Sequence, residues 1–387
     1  MKRKSLLKKA ERIVFKIGSG TIAKRDAEKK YLPGGGLDAE VIKRLVDKFA
    51  AFHTAGKEII LVSSGAVLAG RSCLNVPHGR TLTIPQKQAA AAIGQSSLVR
   101  CYESCFEKYG IKAAQILFTR DDFHNRRRFL NIRNTLETLL SNRIVPVINE
   151  NDTVMVEEIK IGDNDTLSAL SAVVSQADLL VILSDVDGLY SSDPTLTGPA
   201  KPEIISTIEK ITPEIEGIAG KSGGPFGIGG MYTKVSAAKQ ASEFGIPTAI
   251  VNGLDPDNID RLFSGEAIGS IFLSREDRLS SRKHWIAHVL KPSGEIVVDE
   301  GAKKALVSNG RSLLATGIID VKGEFEPGVS VSCTDLSGKE FARGLVNYNC
   351  QDLRKIKGVQ NERIESILGY KVFDEVIHRN DLVILSS

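Results

Sequence analysis

Hydrophobic positions along the chain recur in two rhythms. Residues 38–56, DAEVIKRLVDKFAAFHTAG, set Val41, Leu45, Val46, Phe49 and Phe52 at intervals of three and four, the signature of one buried helical face, with Gly56 closing it. A second helical run, PQKQAAAAIGQSSLVRCYESCFEKYG, opens at Pro85 and ends at Gly110. Between such runs stand short apolar stretches: RIVFKI (12–17), EIILVS (58–63), AAQILF (113–118), RIVPVIN (143–149), DLLVILS (178–184), PTAIVN (247–252) and GSIFLS (269–274). Alternation of this kind predicts an α/β body over residues 12–273, built on a mostly parallel sheet. Several of the strands end in polar or glycine-rich loops, and ligands bind at the carboxyl edge of such a sheet.

The rhythm changes near SREDRLSSRKHW (274–285), a charged, serine-bearing linker. Beyond it, GEIVVDEGA, SLLATGIIDVKGEFEPGVSVSCTDLSGKEFARGLVNYN and VFDEVIHRNDLVILSS are short β-rich segments broken by Gly and Pro, which predict a small barrel. The expected layout is a body over 1–274, a linker over 275–290 and a barrel over 291–387.

Composition narrows the classes. With 387 residues, 42% hydrophobic and 25% charged, the chain can bury large cores, and a net charge of +4 is too small to argue by itself for nucleic acid or membrane. Five cysteines, without a C-x-x-C pair, fit a reducing compartment. The basic N-terminus lacks an apolar core because Lys8, Lys9, Glu11 and Arg12 interrupt it, and no later stretch is long enough to span a bilayer. A cytoplasmic protein is expected.

Several motifs fail on inspection. Gly18-Ser19-Gly20-Thr21-Ile22-Ala23 has the spacing of a dinucleotide fingerprint, but a charged run, Pro33 and three glycines follow where a helix belongs. Gly220-Lys221-Ser222 lacks the upstream glycine of a P-loop, whose place Ile215 takes. The segment Asp163-Asn164-Asp165 is no calcium loop, since Leu167 occupies the third oxygen position. The six histidines are scattered and supply no zinc cluster.

Four loops carry candidate chemistry, each just after a strand. Lys16 ends a strand before glycines that let backbone N–H groups approach an anion. Ser63-Ser64-Gly65-Ala66 opens a small-residue helix suited to a carboxylate or phosphate. Asn149-Glu150-Asn151-Asp152 and Gly162-Asp163-Asn164-Asp165 form a dense Asp/Asn pair of turns, and a glycine-rich loop from Gly223 ends in Lys234. Taken one at a time, glycine turns are mostly chain reversals, and the Asp residues serve to cap a helix. Two lysines, two glycine cradles and acidic turns in one sheet point to phosphoryl transfer, a reaction that needs cations and rigid positioning more than covalent help.

The runs VFKIGSG, VSSGAVLAGR, AAIGQSSL, RRRFLNIRNTLETLL, VPVINENDTV, IKIGDNDTLSALSA, LLVILSDVDGLYSSDP and GIGGMYTKVSAAKQA resemble the amino acid kinase family, and within it the glutamate 5-kinases, along essentially all of the first 270 or so residues. GEIVVDEGAKKAL, SLLATGI, GLVNYN and ILGYK resemble the PUA domain. The resemblance implies a three-layer αβα sandwich around a mainly parallel sheet, with a small C-terminal PUA β-barrel. It also implies ATP and L-glutamate as substrates, Mg²⁺ on the nucleotide, and glutamate 5-phosphate as product, on the way to proline.

Carried over by motif, Lys16, Lys234 and Asp165 are the catalytic set: the lysines on the phosphates, Asp165 orienting both. Ser64, Asp152 and Asn164 would bind glutamate, supported by Asn149 and Asp163; Lys16, Gly18, Ser184, Asp185, Gly229, Gly230, Met231 and Lys234 would meet ATP. No protein residue is assigned as a metal ligand, Mg²⁺ being expected mainly on the ATP phosphates. Ser63, Ser184 and Ile228 stand where the family usually has Thr, so Ile228 lacks a hydroxyl for a phosphate. Proline as feedback inhibitor, a glutamate-5-semialdehyde dehydrogenase as partner and a homo-oligomer (dimer or tetramer) are further implications. Alternatives are a kinase of aspartate or acetylglutamate, or an RNA-associated regulator using Arg343, Arg354, Lys355 and Lys357; RNA is disfavoured because no aromatic stripe accompanies those cations.

Overall fold

A computed structural model describes residues 2–26, 32, 36–74, 76, 81–154, 164–192, 202–220, 230–274, 292–371 and 373–385. Asp163, Ile228, Gly229 and the linker 275–290 lie outside these residues. The chain divides into two compact units, Met1–Asp121 with Ile132–Arg275, and Asp122–Asn131 with Glu276–Ser387.

The first unit is built on β1 (Arg12–Ile17), β2 (Glu58–Ser63), β3 (Ala113–Phe118), β4 (Val145–Glu150), β5 (Leu179–Ser184), β6 (Thr207–Ile208), β7 (Thr248–Asn252) and β8 (Ser270–Phe272). Their order is β3-β4-β2-β1-β5-β7-β8-β6, parallel throughout except where β7 meets β8. Because the strands are buried on both faces, their sequences are nearly continuous apolar runs. Successive side chains still alternate between faces. Ile13, Phe15, Ile17, Ile59 and Leu61 join a core with Leu45 and Phe49 of the Ala39–Thr54 helix and Leu98, Tyr102 and Phe106 of the Ile84–Glu107 helix. Lys16 points the other way, toward the Asn164–Val174 helix.

Local chemistry sets the helix ends. Asp38 accepts hydrogen bonds from the Glu40 and Val41 N–H groups, and Thr83 and Gln86 form a reciprocal capping box at the start of the long helix. The expected strand from residue 143 begins instead at Val145, because Arg143 adopts φ 57°, a left-handed conformation that no strand accommodates. Gly18 leads into a single turn of helix, Ser19–Ile22, rather than the long helix of a dinucleotide site.

The second unit holds a five-stranded sheet of β9 (Glu295–Val298), β10 (Ile318–Lys322), β11 (Ser330–Thr334), β12 (Glu340–Leu345) and β13 (Leu382–Ile384), in the order β10-β9-β11-β12-β13. Its own core includes Ile296, Val298, Val331, Ala342, Tyr348, Leu353 and Ile377.

Candidate active site

Parallel pairing of β4, β2, β1 and β5 brings their carboxyl ends to one edge of the sheet. Lys16, Ser63, Asn149 and Ser184 sit there, each the last or next-to-last residue of its strand. Two helices complete the edge, Asn164–Val174 and Met231–Glu243.

Asp165, in the first turn of its helix, faces two ammonium groups. Lys16 Nζ lies 2.5 Å from its Oδ1, and Lys234 Nζ lies 3.3 Å from its Oδ2. The Thr233 hydroxyl donates to the same Oδ2 at 2.6 Å. Exposures of 6% for Lys16, 5% for Lys234 and 1% for Asp165 mean that water screens none of them well. Burial pushes the Asp165 carboxyl up, but the two lysines, helped by hydrogen bonds from Lys16 and Thr233, outweigh it and hold the group at about 2. Burial lowers Lys234, and the Asp165 carboxylate works against that shift. Gly18 adjoins this group: a Cβ there would stand 3.7 Å from Lys16 Nζ, and its N–H donates to the Leu183 carbonyl at 3.2 Å.

A second cluster joins the first through the Asn164–Asp165 peptide. Asn164 Nδ2 donates to Ser64 Oγ at 2.8 Å and to Asn149 Oδ1 at 3.0 Å. Asn149 Nδ2 in turn donates to Gln95 Oε1 at 2.7 Å. Among the described residues Asn164 Oδ1 and Gln95 Nε2 are buried without a hydrogen-bond partner, an arrangement that costs about 1 to 3 kcal/mol for each group. Asp152 follows β4 in a short 3₁₀ turn, and burial raises its carboxyl to about 6.

The structure therefore brings together Lys16, Asp165 and Lys234, and separately Ser64, Asn164 and Asn149. Ser184 closes β5, and its hydroxyl donates to Asp185 at 3.3 Å. Asp185 also lies 3.8 Å from the Arg25 guanidinium. Gly230 caps the Met231–Glu243 helix, so Met231 begins the helix on which Lys234 sits. No hydrogen bond links Asp152 to the amide cluster among the described residues. Gln95, Tyr102 and Thr233 were not singled out by sequence. Gln95 and Thr233 lie inside the motifs AAIGQSSL and GIGGMYTK, whereas nothing local marks Tyr102.

Residues 11–252 match the amino acid kinase family and residues 294–368 the PUA domain. Glutamate 5-kinase of Geobacter sulfurreducens is 48% identical over 383 residues, covering 99% of this chain and 100% of that protein. Glutamate 5-kinase of Geobacter metallireducens is 50% identical over the same shares, and that of Caldanaerobacter subterraneus subsp. tengcongensis is 48% identical over 97% of this chain and 98% of that protein. A solved UMP kinase from Bacillus anthracis aligns at 12% identity and a TM-score of 0.45 over 69% of this chain and 97% of that one. With a kinase-family match across most of the first unit and full-length relatives near half identity, the chain belongs to the amino acid kinase family, among the glutamate 5-kinases that carry a PUA domain.

Proposed function

We propose that this chain transfers the terminal phosphoryl group of ATP to the side-chain carboxylate of L-glutamate, giving glutamate 5-phosphate for proline biosynthesis. The observation that carries this reading is the buried carboxylate of Asp165 holding two ammonium groups beside an amide cluster at the sheet's carboxyl edge. The acceptor carboxylate has an ordinary pKa of about 4.3 and is ionised at neutral pH, so no general base is needed. The obstacle is repulsion: two like unit charges about 4 Å apart at an effective dielectric of about 20 oppose each other by about 4 kcal/mol. Lys16 and Lys234 offset that term on the phosphates and the transferring group, and Asp165 fixes where their charges stand.

Ser64, Asn164 and Asn149 hold glutamate, and Asp152 takes its α-ammonium. The acceptor of Asn164 and donor of Gln95, unpartnered among the described residues, support an amino-acid ligand, which presents both complements. Gly18, Ser184, Asp185, Gly230 and Met231 line the nucleotide side, with Asp163 and Gly229 assigned by sequence alone. Among the described residues no group of three or more His, Cys, Asp or Glu side chains could hold a metal, and Asp165 is committed to its lysines. A magnesium ion carried mainly by the nucleotide's own phosphates would supply further charge neutralisation there. Proline binding at the glutamate site and direct transfer of the labile acyl phosphate to a dehydrogenase extend the same reading. A cytoplasmic setting accords with five free cysteines, and no helix among the described residues is long and apolar enough to cross a membrane.

The test is an assay with ATP, Mg²⁺ and L-glutamate in which hydroxylamine traps the acyl phosphate. Hydroxamate should form with L-glutamate and not with aspartate or acetylglutamate; turnover indifferent to L-glutamate overturns the assignment. Sensitivity to proline should fall in an Asp152→Asn variant if inhibitor and substrate overlap.

A further inference from the structure

The period of two along β2 puts Ser63 on the same face as Ile59 and Leu61, turned away from the face that bears Lys16 and toward the Ile84–Glu107 helix. There its Oγ meets the Tyr102 hydroxyl at 2.9 Å, with Ser63 and Tyr102 both fully buried. The same Oγ donates to the carbonyl of Ser64 at 3.0 Å. A serine hydroxyl has a single proton. Since Ser63 gives it to the Ser64 carbonyl, Tyr102 must be the donor to Ser63. Burial pushes the Tyr102 phenol well above its ordinary range, so it keeps that proton throughout the pH range of a working enzyme.

Ser64 is thereby held at three points. Its N–H donates to the Ile17 carbonyl at 3.0 Å, its side chain accepts from Asn164 at 2.8 Å, and its carbonyl accepts from Ser63. Because the peptide unit is planar, fixing the carbonyl fixes the plane of the Ser64–Gly65 bond. The first two anchors come from elements that already carry site residues. The third reaches through the sheet edge to the C-terminal third of a helix on the opposite face.

We propose that Tyr102 is a positioning residue for the amino-acid substrate, acting through Ser63 to set the geometry of Ser64; this rests on the reading that Ser64 binds glutamate. Removing the phenol oxygen leaves Ser63 free to rotate and the Ser64 carbonyl without a fixed donor. The loss falls on the glutamate side, because Lys16, Lys234 and Asp165 take no part in the chain of contacts.

The experiment measures steady-state constants for Tyr102→Phe, Ser63→Ala, the double variant and Ser64→Ala, with melting temperatures alongside. Tyr102→Phe should raise the KM for L-glutamate roughly five-fold, the worth of one neutral hydrogen bond, and leave the KM for ATP unchanged. Ser63→Ala should do the same, and the double variant should match either single one, since both cut one chain of contacts. An unchanged glutamate KM in Tyr102→Phe, equal losses for both substrates in step with a lowered melting temperature, or multiplying effects in the double variant would each overturn the proposal. Ser64→Ala separates the two levels: if it raises the glutamate KM while Tyr102→Phe does not, only the role of Tyr102 fails. If Ser64→Ala has no effect, the reading of Ser64 fails and takes this proposal with it.

Discussion

At Asp165 two opposing forces are both large, and the lysines win. Replacing Asp165 by Asn keeps the shape and removes the carboxylate that stands between two buried ammonium groups. Loss of one partner from a buried ion pair costs about 3 to 5 kcal/mol, so denaturant titration should show a drop of that order. Turnover should fall at least about 100-fold, as when a preorganised electrostatic group is removed. Lys16→Ala and Lys234→Ala should reduce kcat far more than nucleotide affinity, measured by titration beside the kinetic assay. The two carboxylates of the site respond to pH with opposite sign. Asp165 is depressed to about 2, so its contribution to stability is present above the ordinary carboxylate value of about 4 and is lost as pH falls toward 2. Asp152 is raised to about 6, so the folded protein holds its proton more tightly, and stability declines as pH rises from about 4 to 6. If Asp152 receives the α-ammonium, the KM for glutamate should climb as pH drops below about 6, and Asp152→Asn should flatten that limb. Lys16, Ser64 and Asn149 stood out in the sequence as polar residues at or just after the ends of apolar strands, and Asp165 as an acid in a dense Asp/Asn turn. Tyr102 was not, since an aromatic on a helix's apolar face reads as core and only the fold reveals its hydroxyl partner.

Among elements, the Ala66–Gly70 and Ile84–Glu107 helices approach each other closely through paired glycines. A Cβ at Gly94 would sit 1.9 Å from the Ala66 carbonyl, and one at Gly70 equally near the Ala90 carbonyl. Backbone cannot yield cheaply there. Gly94→Ala should cost about 1 to 3 kcal/mol by overpacking and should also raise the glutamate KM, because the displaced helix begins just after Ser64. A melting curve and a glutamate titration check both halves. Strands β1, β2 and β3 were readable to the residue, for short buried runs bounded by turns leave little choice. The start of β4 was misjudged because nothing in Arg143 itself demands a left-handed backbone. Strand β6 was missed since two residues carry no period, and the reversal of β8 against β7 depends on long-range pairing.

For the molecule as a whole, the cations that raised an RNA reading are already engaged. Arg343 pairs with Glu340 and Arg354 with Glu324, at 2.8 and 2.9 Å, while Lys357 meets Asp320 at 2.9 Å and Lys355 lies 3.7 Å from Asp352. Neutralised in this way, they offer phosphates little net charge. A gel-shift with cellular RNA should show no complex even at low salt; a shift that fades steeply as salt rises would overturn this. The large sheet, meanwhile, finishes at one border in β6, two residues long. Among the described residues so brief a margin exposes hardly any ladder for a foreign strand to copy, which disfavours fibril growth from β6.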